Sequence, residues 1–340
     1  MRMNPPADRL FSTRQQAARL KRPVCCLVVD AEEDFDWTTP VQETDYSTDC
    51  MRRIADLQEV VSAYGIRPTY LLTYPVLEDT QAVGVLRRQH ARGDCDMGLQ
   101  LHPWVTPPFD EAAGTQASYL LNLDATTEER KLLALMAKFR ACFGFDPTTF
   151  RAGRYGLSSA TAGLLERHGF AIDTSLAPRT DFSAESGPDF SAYECEPFWF
   201  GEARKLLEVP LCRSVVGWSG ALAPALYGAS VKALPGHWHG PAVLSRLRCA
   251  ERITLSPEGN DPAAMLRFLR HRLALGQTIF SLSFHSSSLA PGRNPYVRSR
   301  AELHAFYDRL SEVLDAMERR LGFGFAALGD LPAMLERCAA

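Results

Sequence analysis

Val24-Cys25-Cys26-Leu27-Val28-Val29-Asp30-Ala31-Glu32-Glu33-Asp34-Phe35-Asp36-Trp37 is the stretch whose reading decides the fold. Val24 to Val29 is apolar without polar alternation and follows Pro23, the pattern of a strand buried on both faces. The run then breaks into five acidic residues within the seven positions 30 to 36. Carboxylates at the end of a buried parallel strand sit at the mouth of an α/β sheet or barrel, where active sites collect. Clustered like charges repel, so they call for a cation, a shared proton or full solvation. Asp30 closes the apolar run and is the first candidate functional residue. Glu33 and Asp36 read as solvated.

Outward from this stretch, helical and strand patterns alternate. Residues 48–64 carry helical spacing, 68–74 read as a strand, 78–92 as a helix and 95–101 as a third strand running into His102-Pro103-Trp104. Thr126-x-x-Glu129 reads as a capping box opening a helix to about Cys142. Strands at 148–151, 170–173, 206–209 and 278–284 follow, with helices at 158–168, 261–275, 298–321 and 330–338. Residues 177–204 read as a long loop, and 213–250 give no clear periodicity; the His237-Trp238-His239 cluster there reads as a surface loop. About seven strand–helix alternations predict a parallel sheet wound by helices. Residues 23–340 read as one barrel-like domain and residues 1–22 as a flexible N-terminal arm.

Composition narrows the function classes. At 46% hydrophobic and 23% charged residues, the chain has the makeup of a globular protein. A net charge of −3 gives no electrostatic reason to expect nucleic acid as a partner. No run approaches the about 18 apolar residues of a membrane span, and the first twenty residues lack the apolar core of a signal peptide. Nine cysteines without a CxxC pair suit core thiols in a reducing compartment, so a cytoplasmic location is expected.

Four segments end a predicted strand in reactive side chains: Asp30-Ala31-Glu32, Gln100-Leu101-His102-Pro103-Trp104, Phe150-Arg151-Ala152-Gly153-Arg154-Tyr155-Gly156 and Ser283-Phe284-His285. In a parallel barrel those ends share one face. Carboxylate with imidazole suits a divalent metal, which polarises a carbonyl and activates water. No Gly-x-Ser-x-Gly elbow is present and no G-x-G-x-x-G follows the first strand, which argues against a serine hydrolase and a Rossmann enzyme.

On these motifs the chain resembles the polysaccharide deacetylase superfamily, the NodB-homology carbohydrate esterases, from residue 24 to about residue 330. The resemblance implies a distorted (β/α) barrel with fewer than eight complete units. It implies Asp30 as general base, Arg151 as the residue orienting that base, a backbone N–H near Tyr155 as oxyanion donor, and His285 as catalytic acid. Asp173-Thr174-Ser175 resembles the fourth motif, with Asp173 available to fix the tautomer of His285. The histidine motif departs from the family's two histidines four apart: Gln100 and Trp104 hold those places, and the imidazole is His102. Glu32 and His102, with Asp34 or Gln100 as a third group, form the expected site for Zn²⁺, with Co²⁺ or Mn²⁺ as alternatives. Trp37, Trp104 and Phe109 are the expected sugar-stacking surface.

The expected activity is metal-dependent removal of an N-acyl group, N-acetyl foremost, from an amino sugar of a glycan or glycan precursor. Two alternatives stand beside it: a barrel that binds glycan without cleaving it, and a deformylase acting on a carrier-linked sugar.

Overall fold

The structure is a computed structural model and describes residues 11, 14–34, 46–110, 114–232 and 240–339. Its strands are β1 (Gln15–Gln16), β2 (Val24–Ala31), β3 (Thr69–Leu72), β4 (Asp96–Leu101), β5 (Thr149–Ala152), β6 (Ile172–Asp173), β7 (Phe198–Phe200), β8 (Leu206–Glu208), β9 (Arg213–Val216), β10 (Glu251–Thr254), β11 (Ile279–His285) and β12 (Gly324–Phe325). The helices are α1 (Ile54–Ser62), α2 (Tyr74–Glu78), α3 (Thr80–Ala91), α4 (Ala125–Phe143), α5 (Ser159–Arg167), α6 (Ala223–Lys232), α7 (Gly240–Arg246), α8 (Pro262–Ala274), α9 (Arg300–Leu321) and α10 (Leu331–Ala339).

The main sheet runs β1-β7-β8-β6-β5-β4-β3-β2-β11, with β12 also on β2. From β8 through β11 every pairing is parallel, while β7 and β1 add antiparallel at the edge. Seven parallel strands make an incomplete (β/α) barrel, as expected. Among the described residues no ladder joins β8 to β11. The gap is bridged instead by single contacts: the Ser281 hydroxyl donates to the Pro210 carbonyl (2.8 Å), and the Ser283 N–H to the Leu255 carbonyl (3.2 Å).

Strand alternation explains why β2 is apolar throughout. Val24, Cys26 and Val28 join Leu71, Ile172, Leu207 and Ile279 in a cluster inside the barrel. Cys25, Leu27, Val29 and Ala31 pack outward in the larger cluster that includes helix side chains such as Phe268 and Phe306. Both faces are buried, so neither tolerates a polar residue until the strand ends. All nine cysteines are free and seven are buried, in keeping with their reading as core thiols.

Two local readings are corrected. The start of α4 is capped by Asp124, whose carboxylate accepts from the N–H groups of Thr126 and Thr127 (3.1 and 3.0 Å), rather than by Thr126. The described part of the N-terminal arm is packed. Phe11 is buried edge-on against Tyr193, Phe198 and Phe200, and β1 pairs with β7. One aromatic residue in a polar segment is enough to anchor it, because it buries a large apolar area.

A carboxyl group is buried between α4 and α5. Glu128 accepts a hydrogen bond from the Thr161 hydroxyl, and burial pushes its pKa up from 4.5 to about 7. A carboxyl whose pKa is raised by folding stabilises the native state below its unfolded value, and that contribution is lost as pH rises through the folded one. The shift corresponds to roughly 3 kcal/mol lost between about pH 4.5 and pH 7. Glu128→Gln should therefore match the parent in urea unfolding at pH 4.5 and be more stable at pH 8. Equal stability at pH 8 would show that Glu128 is not held as a neutral acid.

Candidate active site

Alternation along each strand selects which residues reach the barrel interior. Asp30 shares the inward parity of Val28; Gln100 lies between outward Leu99 and Leu101; Arg151 lies between outward Phe150 and Ala152; and His285 follows outward Phe284. All four therefore point inward at the C-terminal ends of parallel strands and line one cavity of about 340 Å³. Its walls also include Glu32, His102, Trp104, Tyr119, Tyr155 and Phe182.

The curl of the sheet can be read from one ion pair. Asp30 on β2 and Arg151 on β5 are three strand spacings apart, about 14 Å on a flat sheet. Yet Arg151 Nη1 donates directly to Asp30 Oδ1, with both side chains buried. The guanidinium is fixed on its other side by Thr174: Nε donates to its carbonyl and Nη2 to its hydroxyl, each at 3.0 Å. One oxygen of Asp30 is thus occupied. The other, Oδ2, lies 3.8 Å from His285 Nε2.

His285 is set by a residue that the sequence reading missed. Glu258, in the loop after β10, accepts from His285 Nδ1 (2.9 Å) through Oε2 and from the His285 N–H (3.0 Å) through Oε1. Burial alone would lower the pKa of the imidazole. The charges of Glu258, Glu32 and Asp30 and the Glu258 hydrogen bond outweigh it and push it up to about 10. Nδ1 is thus engaged by Glu258, and Nε2 is the ring nitrogen that faces Asp30.

Asp173 does not take the tautomer-fixing place expected for it. Ile172 packs inside the barrel, so alternation turns Asp173 to the opposite face, away from the cavity. There it accepts from the Ser175 hydroxyl (2.5 Å), which in turn accepts from the Ala152 N–H (2.8 Å). Its cross-strand neighbour is Glu208 on β8, and both are fully buried. Burial, followed by the charge of Asp173, pushes the Glu208 carboxyl well up.

The expected metal set closes on itself through hydrogen bonds. His102 Nδ1 donates to Glu33 Oε1 (2.7 Å), which makes Glu33 a buried partner rather than a solvated charge. Gln100 Nε2 lies 3.1 Å from Glu32 Oε2 and 3.0 Å from His102 Nε2, so the carboxamide bridges the two groups that would share a metal. Asp34 faces Arg293, 3.6 Å away. Among the described residues no three His, Cys, Asp or Glu side chains are gathered as ligands. One carboxylate, one imidazole and a carboxamide presenting its N–H groups do not fit Zn²⁺, Co²⁺ or Mn²⁺.

The aromatic wall is only in part the expected one. Trp104 stacks on His102 (4.2 Å between ring centres, 24° between planes) and lines the cavity. Phe109 lies outside it, half exposed, with the Lys131 ammonium over its ring. Trp37, Asp36 and the His237-Trp238-His239 cluster lie outside the described residues. Tyr119 and Phe182 complete the wall and were not singled out.

Two backbone features hold these loops. A Cβ on Gly153 would lie 2.5 Å from His102 Cδ2 and 2.6 Å from the Leu101 carbonyl, so only glycine allows the approach. Arg154 and Tyr155 follow with φ of 52° and 60°, a left-handed turn that costs about 1–3 kcal/mol per non-glycine residue. Arg154 is tied down by Ser118 (2.8 Å) and Glu185, and Tyr155 stacks on Phe182 (6.0 Å). On the other side of the cavity, the buried Lys131 ammonium on α4 donates to the carbonyls of Pro103, Thr106 and Pro108, pinning the turn after His102.

No family model matches the chain, and no curated protein matches it in sequence. Solved structures do match. A Mycobacterium smegmatis protein described as a polysaccharide deacetylase superposes with a TM-score of 0.54 at 16% identity, covering 96% of each chain. The fold is that of the polysaccharide deacetylases. A second structure, the Puue allantoinase, superposes with a TM-score of 0.51 at 12% identity, covering 92% of this chain and 90% of that one. Identities this low establish the deacetylase fold and leave the chemistry to be argued from the cavity itself.

Proposed function

We propose that the protein hydrolyses an amide, the N-acyl group of an amino sugar, with N-acetyl the first acyl group to test. The observation that carries this reading is the facing pair of Asp30 and His285. One is a carboxylate steadied by Arg151; the other is an imidazolium steadied by Glu258. A base and an acid 3.8 Å apart on one cavity suit a reaction in which water loses a proton as an amine gains one.

Asp30 Oδ2 takes the proton of the attacking water. The oxygen adds to the acyl carbon, and the oxyanion is received by the backbone N–H at Tyr155. His285 Nε2 then gives its proton to the departing nitrogen, and the C–N bond breaks to leave a free amine and a carboxylate. At about 340 Å³ the cavity lies at the low end of small-molecule pockets, roughly 300–1,000 Å³, which suits a single sugar ring. Trp104, Tyr119 and Phe182 give that ring apolar faces to rest on. Free, mostly buried thiols suit a cytoplasmic precursor as substrate.

The test is acetate release from a panel of N-acetylhexosamines, with N-formyl sugars scored for formate and allantoin as a non-sugar amide. Release is expected to persist after chelation, and the purified protein should hold well under one equivalent of metal. Activity abolished by a chelator and restored by Zn²⁺ would overturn the side-chain mechanism. Silence on every substrate would favour the glycan-binding barrel.

A further inference from the structure

We propose that Arg213, with Arg252 beside it, forms an anion subsite at the edge of the cavity. The substrate then carries a phosphate or carboxylate group in addition to its acyl amide. This deepens the functional reading above and rests on it for the sugar, though not for the anion.

Arg213 begins β9 and is partly buried, yet no carboxylate lies within ion-pair distance of it among the described residues. Its contacts are two hydroxyls: Nε donates to Thr254 (2.9 Å) and Nη1 to Thr180 (2.6 Å). These fix the plane of the guanidinium without neutralising it, and leave Nη2 to a further acceptor. Arg252 lies on the neighbouring strand β10, two residues from Thr254, the register partner of Arg213. The two arginines therefore project from the same face of the ribbon. Among the described residues Arg252 also has no carboxylate within ion-pair distance; it donates to the Arg179 carbonyl (3.1 Å) and lies over the Tyr227 ring.

Two like charges on one face, one of them partly desolvated, are unfavourable unless something negative joins them. Burial pulls the pKa of Arg213 down. Tyr155 acts against this and Arg252 adds to it. Tyr155 and Phe182, stacked 6.0 Å apart, both line the cavity. Thr180, which holds Arg213, is two residues from Phe182 on the cavity wall. An anion on Arg213 is therefore within one substrate's reach of Asp30 and His285.

Calorimetric titration of the full chain with N-acetylglucosamine, its 1-phosphate, an N-acetylhexosaminuronic acid and inorganic phosphate tests this at low salt. At least one charged sugar should bind tenfold or more tighter than the neutral one, and which of them does so tells phosphate from carboxylate. In Arg213→Gln the charged sugars should fall to the affinity of the neutral sugar. Arg252→Gln changes an exposed residue that does not threaten folding, and should remove a few-fold of the advantage. Equal binding of neutral and charged sugars, or an advantage that survives both substitutions, would overturn the subsite. If inorganic phosphate binds through Arg213 while no sugar binds, the subsite stands and the amino-sugar reading falls. If nothing binds, both fall.

Discussion

His285→Ala should lower hydrolysis of an N-acetyl sugar by roughly 10²–10⁴-fold, the usual scale of general acid catalysis, and spare most of the rate on an activated aryl acetate. The difference lies in the leaving group. An amine expelled from an amide needs a proton, whereas a phenolate leaves without one. Held by Glu258 with a pKa pushed up to about 10, His285 stays protonated across the neutral range. The amide rate of the parent should therefore fall as pH rises through that value, and the ester rate should not share the fall. Glu258→Gln removes a negative charge from Nδ1 and should move this limb to lower pH. Equal losses on both substrates for His285→Ala would assign it a binding role instead.

Asp30→Asn should depress both reactions together, because water must be activated whatever departs. It should also carry a structural penalty. Arg151 is buried with Asp30 as its ion-pair partner, and removing one member of a buried pair costs about 3–5 kcal/mol. Asp30→Asn should therefore unfold at lower urea than the parent. The double change Asp30→Asn with Arg151→Met should regain part of that loss while remaining inactive. If the double variant were no more stable than the single, the buried charge would not be the cause.

The architecture was legible because the barrel strands are buried on both faces, and runs such as Val24 to Val29 or Ile279 to Phe284 show it. The strand ends were legible for the same reason: a charged residue closing an apolar run has few other places to be. Asp30, Arg151 and His285 converge as that logic requires. Glu258 was not legible. It is a lone acid among turn residues, Ser256-Pro257-Glu258-Gly259, and only the fold carries that loop to His285. Glu33 was misread because an acidic run looks solvated until a buried histidine is found against it. Asp173 was misplaced by one step of strand alternation, a parity that a strand of two residues does not reveal. Gln100 was seen as a missing histidine, but its bridging of Glu32 and His102 depends on side-chain geometry.

The adjacency of β2 and β11 has a consequence for how the molecule is made. Asp30 and His285 are register partners on neighbouring strands, although 255 positions separate them in the chain. Asp30 emerges from the ribosome with the first core strand and His285 only with β11. At about 5–20 residues per second, the interval between them is roughly 13–50 s. Throughout it a growing chain carries Asp30 without the neighbour that β11 brings to it. A truncated product ending before Ile279 lacks His285 permanently, so the two facing side chains meet only when the far end of the chain docks against the near one.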